Sequence, residues 1–247
     1  MADDYRKAAF IQPPSLVKPG DEGFGVWWAM QCIRLKEPDL WPFGDQLLLS
    51  DGSTQPTLRF SGEVRDAVTE FQRRYSLAAD GLVGPQFWSA MHQWSKVKPP
   101  IGTLISAHLK VSEVYDFREY KLGLSDAKRG YAWRVLYKPY WAWLFEKMRK
   151  AAGKPITINS FDRSPATNKA VGGVSNSRHL FGHAGDYDIA GFTNHDHYLA
   201  GRAADFLGVG DYDPLRWPGG YGHADLGLER GNPKQDAQGR RTWSTYG

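Results

Sequence analysis

The sequence predicts an α+β protein in which a small, helical N-terminal unit precedes a larger mixed unit. Apolar side chains recur at helical spacing in three segments of the N-terminal unit, residues 26–35, 62–75 and 86–94. After Pro99 and Pro100 the pattern changes to one long amphipathic segment, residues 131–152, followed by short β-rich stretches flanked by glycine. A chain of 247 residues can form two modest domains. We therefore expect one domain over residues 1–96 and a second over residues 97–247.

Composition limits the classes of partner. The formal net charge of +4 favours an anionic polymer, but neither a Lys/Arg run nor a recognition motif points to nucleic acid. The single cysteine, Cys32, excludes an internal disulfide and a cysteine metal cluster. The acidic N-terminus does not resemble a Sec-type signal peptide, and no apolar run is long enough to span a membrane. These features predict a protein that is made and folded in the cytoplasm, and we expect a monomer.

Residues 177–186 contain a histidine and a carboxylate seven positions apart, His179 and Asp186. This spacing does not suit one helix face, and it favours two short strands joined by a tight turn, with both side chains aimed at one point. Imidazole and carboxylate are ordinary zinc ligands, and a catalytic zinc site needs three protein ligands and an open position. The third candidate is His223, in a predicted short strand over residues 221–227.

A competing set of metal-binding residue types lies at residues 194–197, which read Asn-His-Asp-His. Adjacent residues cannot all face one point on a helix or strand. These residues are therefore predicted to be surface residues or to start a helix.

The ordered motifs of the second unit resemble the zinc DD-carboxypeptidase and DD-endopeptidase family. The chain has Ser-x-His-x-x-Gly-x-Ala-x-Asp at residues 177–186, a late His-x-Asp at His223, and a matching lead-in at residues 158–165. The resemblance spans residues 104–227. It implies the α+β fold that these peptidases share with the hedgehog signalling domain, a Zn²⁺ cofactor and hydrolysis of peptide bonds in peptidoglycan.

The first unit resembles the small three-helix peptidoglycan-binding domain. The resemblance rests on residues 67–72, on the Asp-Gly-x-Val-Gly turn at residues 80–84 and on Trp88. It spans residues 16–94, from which the irregular segment 38–60 departs. It implies that the first unit binds the cell wall; the alternative is a helical packing domain with no ligand. Residues 1–96 contain no metal-binding or nucleophile constellation, so we expect them to do no chemistry.

The peptidase resemblance also implies roles for two polar residues near the metal motif. Arg163 would pair bidentately with a substrate carboxylate or help to hold the carbonyl oxygen. The structural alternative is a salt bridge, for example with Asp162. Ser177 would contact the substrate, from the same strand face as His179, or make a turn hydrogen bond.

The general base is the main departure from the family. Many relatives carry an acidic residue three positions before the last histidine, where this chain has Gly220. Asp225 is one candidate, either as the base or as the partner that holds the His223 ring. Asp213 is the other, unless it is only a turn residue before Pro214.

Taken together, these features predict a zinc metallopeptidase with the architecture of a modular phage endolysin, acting on the wall after release by a holin. An effector injected through a secretion apparatus fits the same features. A non-catalytic, zinc-bearing wall-binding protein is the alternative from a different class. The sequence does not indicate which bond is cut.

Overall fold

The computed structural model describes residues 12–93, 101–115, 134–212, 215 and 220–227, and the backbone of two strands at 234–235 and 241–244. The predicted domain boundary at 96/97, its linker and Asp213 lie outside these residues.

The N-terminal part is helical, as predicted. Its elements are β1 (Glu22–Gly23), α1 (Phe24–Lys36), a 3₁₀ turn (Pro38–Leu40), β2 (Leu58–Arg59), α2 (Gly62–Arg74) and α3 (Pro85–His92). Ser61 caps α2 by accepting a hydrogen bond from the Val64 amide, and a proline starts α3 at a position that needs no amide donor.

Helix α1 differs from α2 in being buried on every side. All residues from 26 to 35 are buried, whereas α2 buries one stripe that includes Val64, Val68 and Phe71. A helix that is apolar all round lies inside a core rather than at its surface. Helix α1 is therefore the central element of the N-terminal part.

The segment over residues 38–60 is an ordered part of the fold. Its β2 pairs with β1, and its carbonyls at Leu47 and Leu48 accept hydrogen bonds from Gln31 and Trp27 of α1. Gly52 has φ +76°, and a side chain there would lie 2.4 Å from the backbone of Glu146. Only glycine allows this close approach.

The second part contains helices and one sheet. Its elements are α4 (Val111–Val114), α5 (Lys138–Ala152), β3 (Thr157–Ser160), α6 (Pro165–Ala170), a 3₁₀ helix (Arg178–Phe181), β4 (Ala184–Asp188), α7 (Asn194–Ala203), β5 (Gly208–Asp211), β6 (Gly222–Asp225), β7 (Lys234–Gln235) and β8 (Arg241–Ser244). The α+β prediction is confirmed.

Two predicted elements differ in detail. The long helix starts at Lys138 rather than at 131, with Pro139 in its first turn, where a missing amide costs nothing. It ends as predicted at Gly153, which adopts a left-handed conformation. Residues 178–181 form a 3₁₀ helix instead of the first predicted strand, and Gly182, with φ +73°, turns the chain into β4.

The sheet has the strand order β3-β4-β6-β5-β8-β7, and all its pairs are antiparallel except β5 with β8. Side chains of a strand alternate between faces. A side chain at Gly185 would meet the Trp141 ring of α5 at 2.5 Å, and one at Gly222 would meet Tyr187 at 2.4 Å. One face is therefore packed tightly on helices, and Asp186 and His223 lie on the opposite face.

The two parts share one hydrophobic core. The same buried cluster runs from Val17 to Leu226. Trp28 of α1 packs against Trp88 of α3 and Tyr140 of α5, with ring centroids 5.7 and 5.2 Å away. Within the described residues, no helix has the length and apolar character needed to cross a membrane.

Candidate metal centre

Three neighbouring strands place polar side chains in one row across the open face of the sheet. The register pairs Ser160 of β3 with Asp186 of β4, and Asp186 with His223 of β6. Because paired residues in antiparallel strands point to the same face, the sheet itself brings Asp186 and His223 together.

His179 reaches the same point from the 3₁₀ helix that precedes β4. Its Nε2 lies 3.2 Å from Asp186 Oδ1, and His223 Nδ1 lies 2.7 Å from that same oxygen. The three ligand atoms all lie within 4.8 Å of one another. The structure thus brings together the three residues that the sequence nominated as metal ligands.

Both imidazoles are held in orientations that suit metal binding. His179 Nδ1 lies 2.6 Å from the carbonyl oxygen of Phe161, which can only accept, so this nitrogen carries the proton and Nε2 offers a lone pair. His223 Nε2 lies 3.3 Å from Asp225 Oδ2, which leaves Nδ1 for the site. Such partners of the distal ring nitrogen are the usual supports of metal-binding histidines.

The ionisation of the site follows from burial and from its charges. Burial lowers the pKa of His179 despite the neighbouring carboxylate. Burial alone would also lower the pKa of His223, but hydrogen bonds and charges of Asp186 and Asp225 outweigh it and raise that pKa to about 9. Burial opposes ionisation of Asp186, yet the two histidines hold its pKa well below the usual range. Asp186 is therefore favoured as a carboxylate anion.

The donor set fits zinc. Two imidazole nitrogens and one carboxylate oxygen are ligands that zinc prefers, and ligands about 2.1 Å from a tetrahedral ion are roughly 3.4 Å apart. The separation of 3.2 Å between His179 Nε2 and Asp186 Oδ1 is close to that spacing, whereas the 2.7 Å between His223 Nδ1 and Asp186 Oδ1 is the length of a hydrogen bond. With three protein ligands, the site leaves one position open for a water or a substrate oxygen.

Asp225 lies behind the His223 ring rather than in front of the ligand cluster. It is fully buried, and its second oxygen, Oδ1, accepts a hydrogen bond of 2.7 Å from the Gly227 amide. Of the two roles that the sequence left open, this position favours holding the ring.

Arg163 follows β3 and faces the centre. Its guanidinium contacts Asp186 Oδ2, and its Nε donates to Ser160 Oγ at 2.9 Å. The predicted alternative partner, Asp162, instead points the other way and pairs with Lys138 at 2.6 Å. Arg163 is thus bound to the candidate ligand itself.

Ser177 does not share a strand face with His179. It directly precedes the 3₁₀ helix, in which residues two apart lie about 240° apart around the axis. Its amide donates to the Val174 carbonyl at 3.0 Å, so a turn hydrogen bond exists, made by the backbone.

Gly220 has φ +64°, a left-handed conformation that favours glycine. The backbone therefore gives a physical reason why the usual acidic residue is missing.

Sequence reasoning missed Tyr221, which lies two positions before His223 and stacks on Tyr212 at 4.5 Å. Burial raises the pKa of its phenol, on which the charges of Asp186 and Arg163 also act.

The remaining histidines have other surroundings. His108 pairs with buried Glu146 at 2.9 Å. Residues 194–197 begin α7, as predicted, with His195 exposed and His197 buried against Asp188. His183 is buried and contacts the rings of Phe181 and Tyr137.

Comparisons with known proteins agree with this site. Residues 107–217 match the Peptidase M15 family, and residues 45–91 match a putative peptidoglycan binding domain. A zinc D-Ala-D-Ala carboxypeptidase of Streptomyces albus G is 34% identical over 129 residues, which is 52% of this chain and 48% of that relative. The chain thus spans about half the length of the curated relative that it matches.

The family, the metallopeptidase class and the zinc cofactor predicted from the sequence are confirmed at the level of these domains. Residues 107–217 are therefore similar to a peptidase M15 domain, and residues 45–91, which precede them, are similar to a peptidoglycan-binding domain.

Proposed function

We propose that this protein is a zinc-dependent hydrolase of a peptide bond in bacterial peptidoglycan, in a stem peptide or a cross-link. The observation that carries the proposal is the convergence of His179, Asp186 and His223 on one point of an otherwise helix-covered sheet. The 34% identity to a zinc D-Ala-D-Ala carboxypeptidase supports the substrate class.

In this proposal the metal ligands are His179 through Nε2, Asp186 through Oδ1 and His223 through Nδ1. Zinc, when bound, supplies Lewis-acid chemistry that polarises a carbonyl and lowers the pKa of a water. Asp225 keeps the proton of His223 on Nε2, so that Nδ1 stays free to bind. Asp225 is then a positioning residue, and Asp213 remains our candidate for the general base.

Arg163 is proposed to bind a substrate carboxylate beside the metal. A guanidinium has five donors, and the contacts to Ser160 and Asp186 engage two of them. Its side chain is 14% exposed, so part of it can be reached from solvent. Ser177, half-buried at the start of the 3₁₀ helix, is proposed as a weaker substrate contact.

The biological role that we propose is that of an endolysin. The peptidoglycan-binding domain would hold the enzyme on the polymer, and the M15 domain would cut it as a monomer after release of the protein by a holin. An effector delivered by a secretion apparatus would have the same chemistry.

Digestion of purified sacculi tests the activity. We expect new amino groups or free D-alanine, identified by mass spectrometry of the muropeptides, from the zinc-loaded protein. His179→Ala should lose both zinc and activity, while His195→Ala, at an exposed histidine of α7, should keep both. A zinc-loaded protein that sediments with sacculi but releases no product would instead identify a binding protein.

Asp225→Asn separates its two roles. As a positioning residue, its loss should weaken zinc binding by roughly 10–100-fold. Full zinc affinity with abolished turnover would instead make Asp225 the base.

A further inference from the structure

We propose that a buried ion pair, Lys138 with Asp162, is a positioning device for the zinc site, acting through the two chain segments that hold His179. This inference rests on the proposed function, because it concerns the same metal. Neither residue touches the ligand cluster directly.

Lys138 joins two segments that are distant in sequence. Its ammonium donates to Asp162 Oδ1 at 2.6 Å, in the segment after β3, and to the Gly182 carbonyl at 3.2 Å, at the end of the 3₁₀ helix. The side chains of Lys138 and Asp162 are 1% and 0% exposed. Lys138 belongs to the first turn of α5, so it ties both segments to a helix of 15 residues.

These two segments determine where the His179 ring lies. The Phe161 carbonyl, one residue before Asp162, accepts from His179 Nδ1 at 2.6 Å. The Arg163 amide, one residue after Asp162, donates to the His179 carbonyl at 3.1 Å. Asp162 is thus flanked by both hydrogen bonds that connect this segment to the ligand.

Asp162 is itself fixed from other directions. Its amide donates to the Val114 carbonyl at 3.1 Å, and its Oδ2 lies 3.5 Å from the Arg134 amide. The Lys138 ammonium lies 4.4 Å from the centre of the Phe161 ring, a cation–π contact with the residue whose carbonyl orients His179.

Gly182 packs closely against the ion pair. A side chain at Gly182 would lie 2.9 Å from Asp162 Oδ1 and 3.1 Å from Lys138 Nζ, and Gly182 needs its positive φ. The 3₁₀ helix can therefore close onto the ion pair only because position 182 is glycine.

A buried ion pair is a poor device for stability, because removing two charges from water costs about as much as their attraction returns. Burial lowers the pKa of Lys138 and raises that of Asp162 to about 6, although each charge opposes the effect on its partner. A pair that adds little stability but fixes two segments at one ammonium is well suited to positioning.

The test compares Lys138→Met, which keeps the length of the side chain but removes its donors, with Lys147→Met. Lys147 lies on the same helix and pairs with Asp205 at the surface. We expect Lys138→Met to weaken zinc binding by ~10-fold, the lower end of the effect of outer partners, in a competition assay with a chromophoric chelator. The absorption spectrum of the Co²⁺-substituted protein should also shift, whereas Lys147→Met should match the wild type in both.

The cobalt spectrum separates positioning from simple loss of folded protein, since unfolding lowers the signal without changing its shape per bound ion. Asp162→Asn is the second variant, because its amide oxygen can still accept from Lys138 and the fold should be kept. We expect a smaller loss of zinc affinity from it than from Lys138→Met, because one hydrogen bond to the ammonium is kept. Wild-type zinc affinity and an unchanged cobalt spectrum in folded Lys138→Met or Asp162→Asn would overturn the inference. Retention of zinc by His179→Ala would instead overturn the metal site itself.

Discussion

Trp28→Ala tests whether the two parts of the protein unfold as one unit. Trp28 is 1% exposed and lies in α1, between Trp88 of the N-terminal part and Tyr140 of α5. Its indole nitrogen donates to the Leu136 carbonyl, just before α5. The side chain is therefore shared by both parts of the fold.

The size of the effect follows from this burial. Replacing a fully buried tryptophan by alanine costs about 3–5 kcal/mol, a large share of the roughly 5–15 kcal/mol that stabilises a typical protein. For a chain of this length, each kcal/mol lowers Tm by about 2–4 °C, so we expect a fall of roughly 6–20 °C. Trp28→Phe keeps a ring but loses the donor to Leu136, and it should cost only about 1–2 kcal/mol.

Urea unfolding, followed by circular dichroism and by zinc release, measures the coupling. We expect one transition for both probes, at a lower midpoint in Trp28→Ala but with the same slope, because the shared core makes unfolding cooperative. Two separate transitions, with zinc release unaffected by the substitution, would refute the single core.

Two further predictions concern the sheet and the apo site. Gly185→Ala should destabilise the fold by about 1–3 kcal/mol and weaken zinc binding, because its methyl group would meet Trp141 at 2.5 Å. Thermal melting measures the loss of stability. Gly102→Ala is the control, because nothing lies within 4 Å of a methyl group at that position. The pKa of His223 is raised to about 9 in the fold from a usual value near 6.5. Its contribution to the stability of the metal-free protein is therefore complete below pH ~6.5 and disappears as the pH rises through 9. Zinc affinity should rise over the same pH interval, because His223 must lose its proton to bind the metal. Calorimetry in two buffers measures the released proton. A zinc affinity that is independent of pH between 6.5 and 9 would contradict this prediction.

The amino-acid sequence was sufficient to predict the classes of element and the candidate metal-site residues. Helical periodicity marked α2 because that helix buries only one face. The sequence predicted three candidate ligands because few residue types bind zinc and the family motif fixes their order. They are His179, Asp186 and His223. Local chemistry was sufficient for these features.

Features that depend on contacts between distant segments could be seen only in the folded chain. The strand predicted around His179 is a 3₁₀ helix, because its end closes onto Lys138 and Asp162. Asp225 lies behind the His223 ring because the pairing of β6 with β4 places Asp186 opposite His223, so the other side of the ring faces Asp225. The buried faces of α1 are covered by a helix more than 100 residues later in the chain. A local pattern of apolar and polar residues does not identify such partners, because the burial of a segment depends on what packs against it.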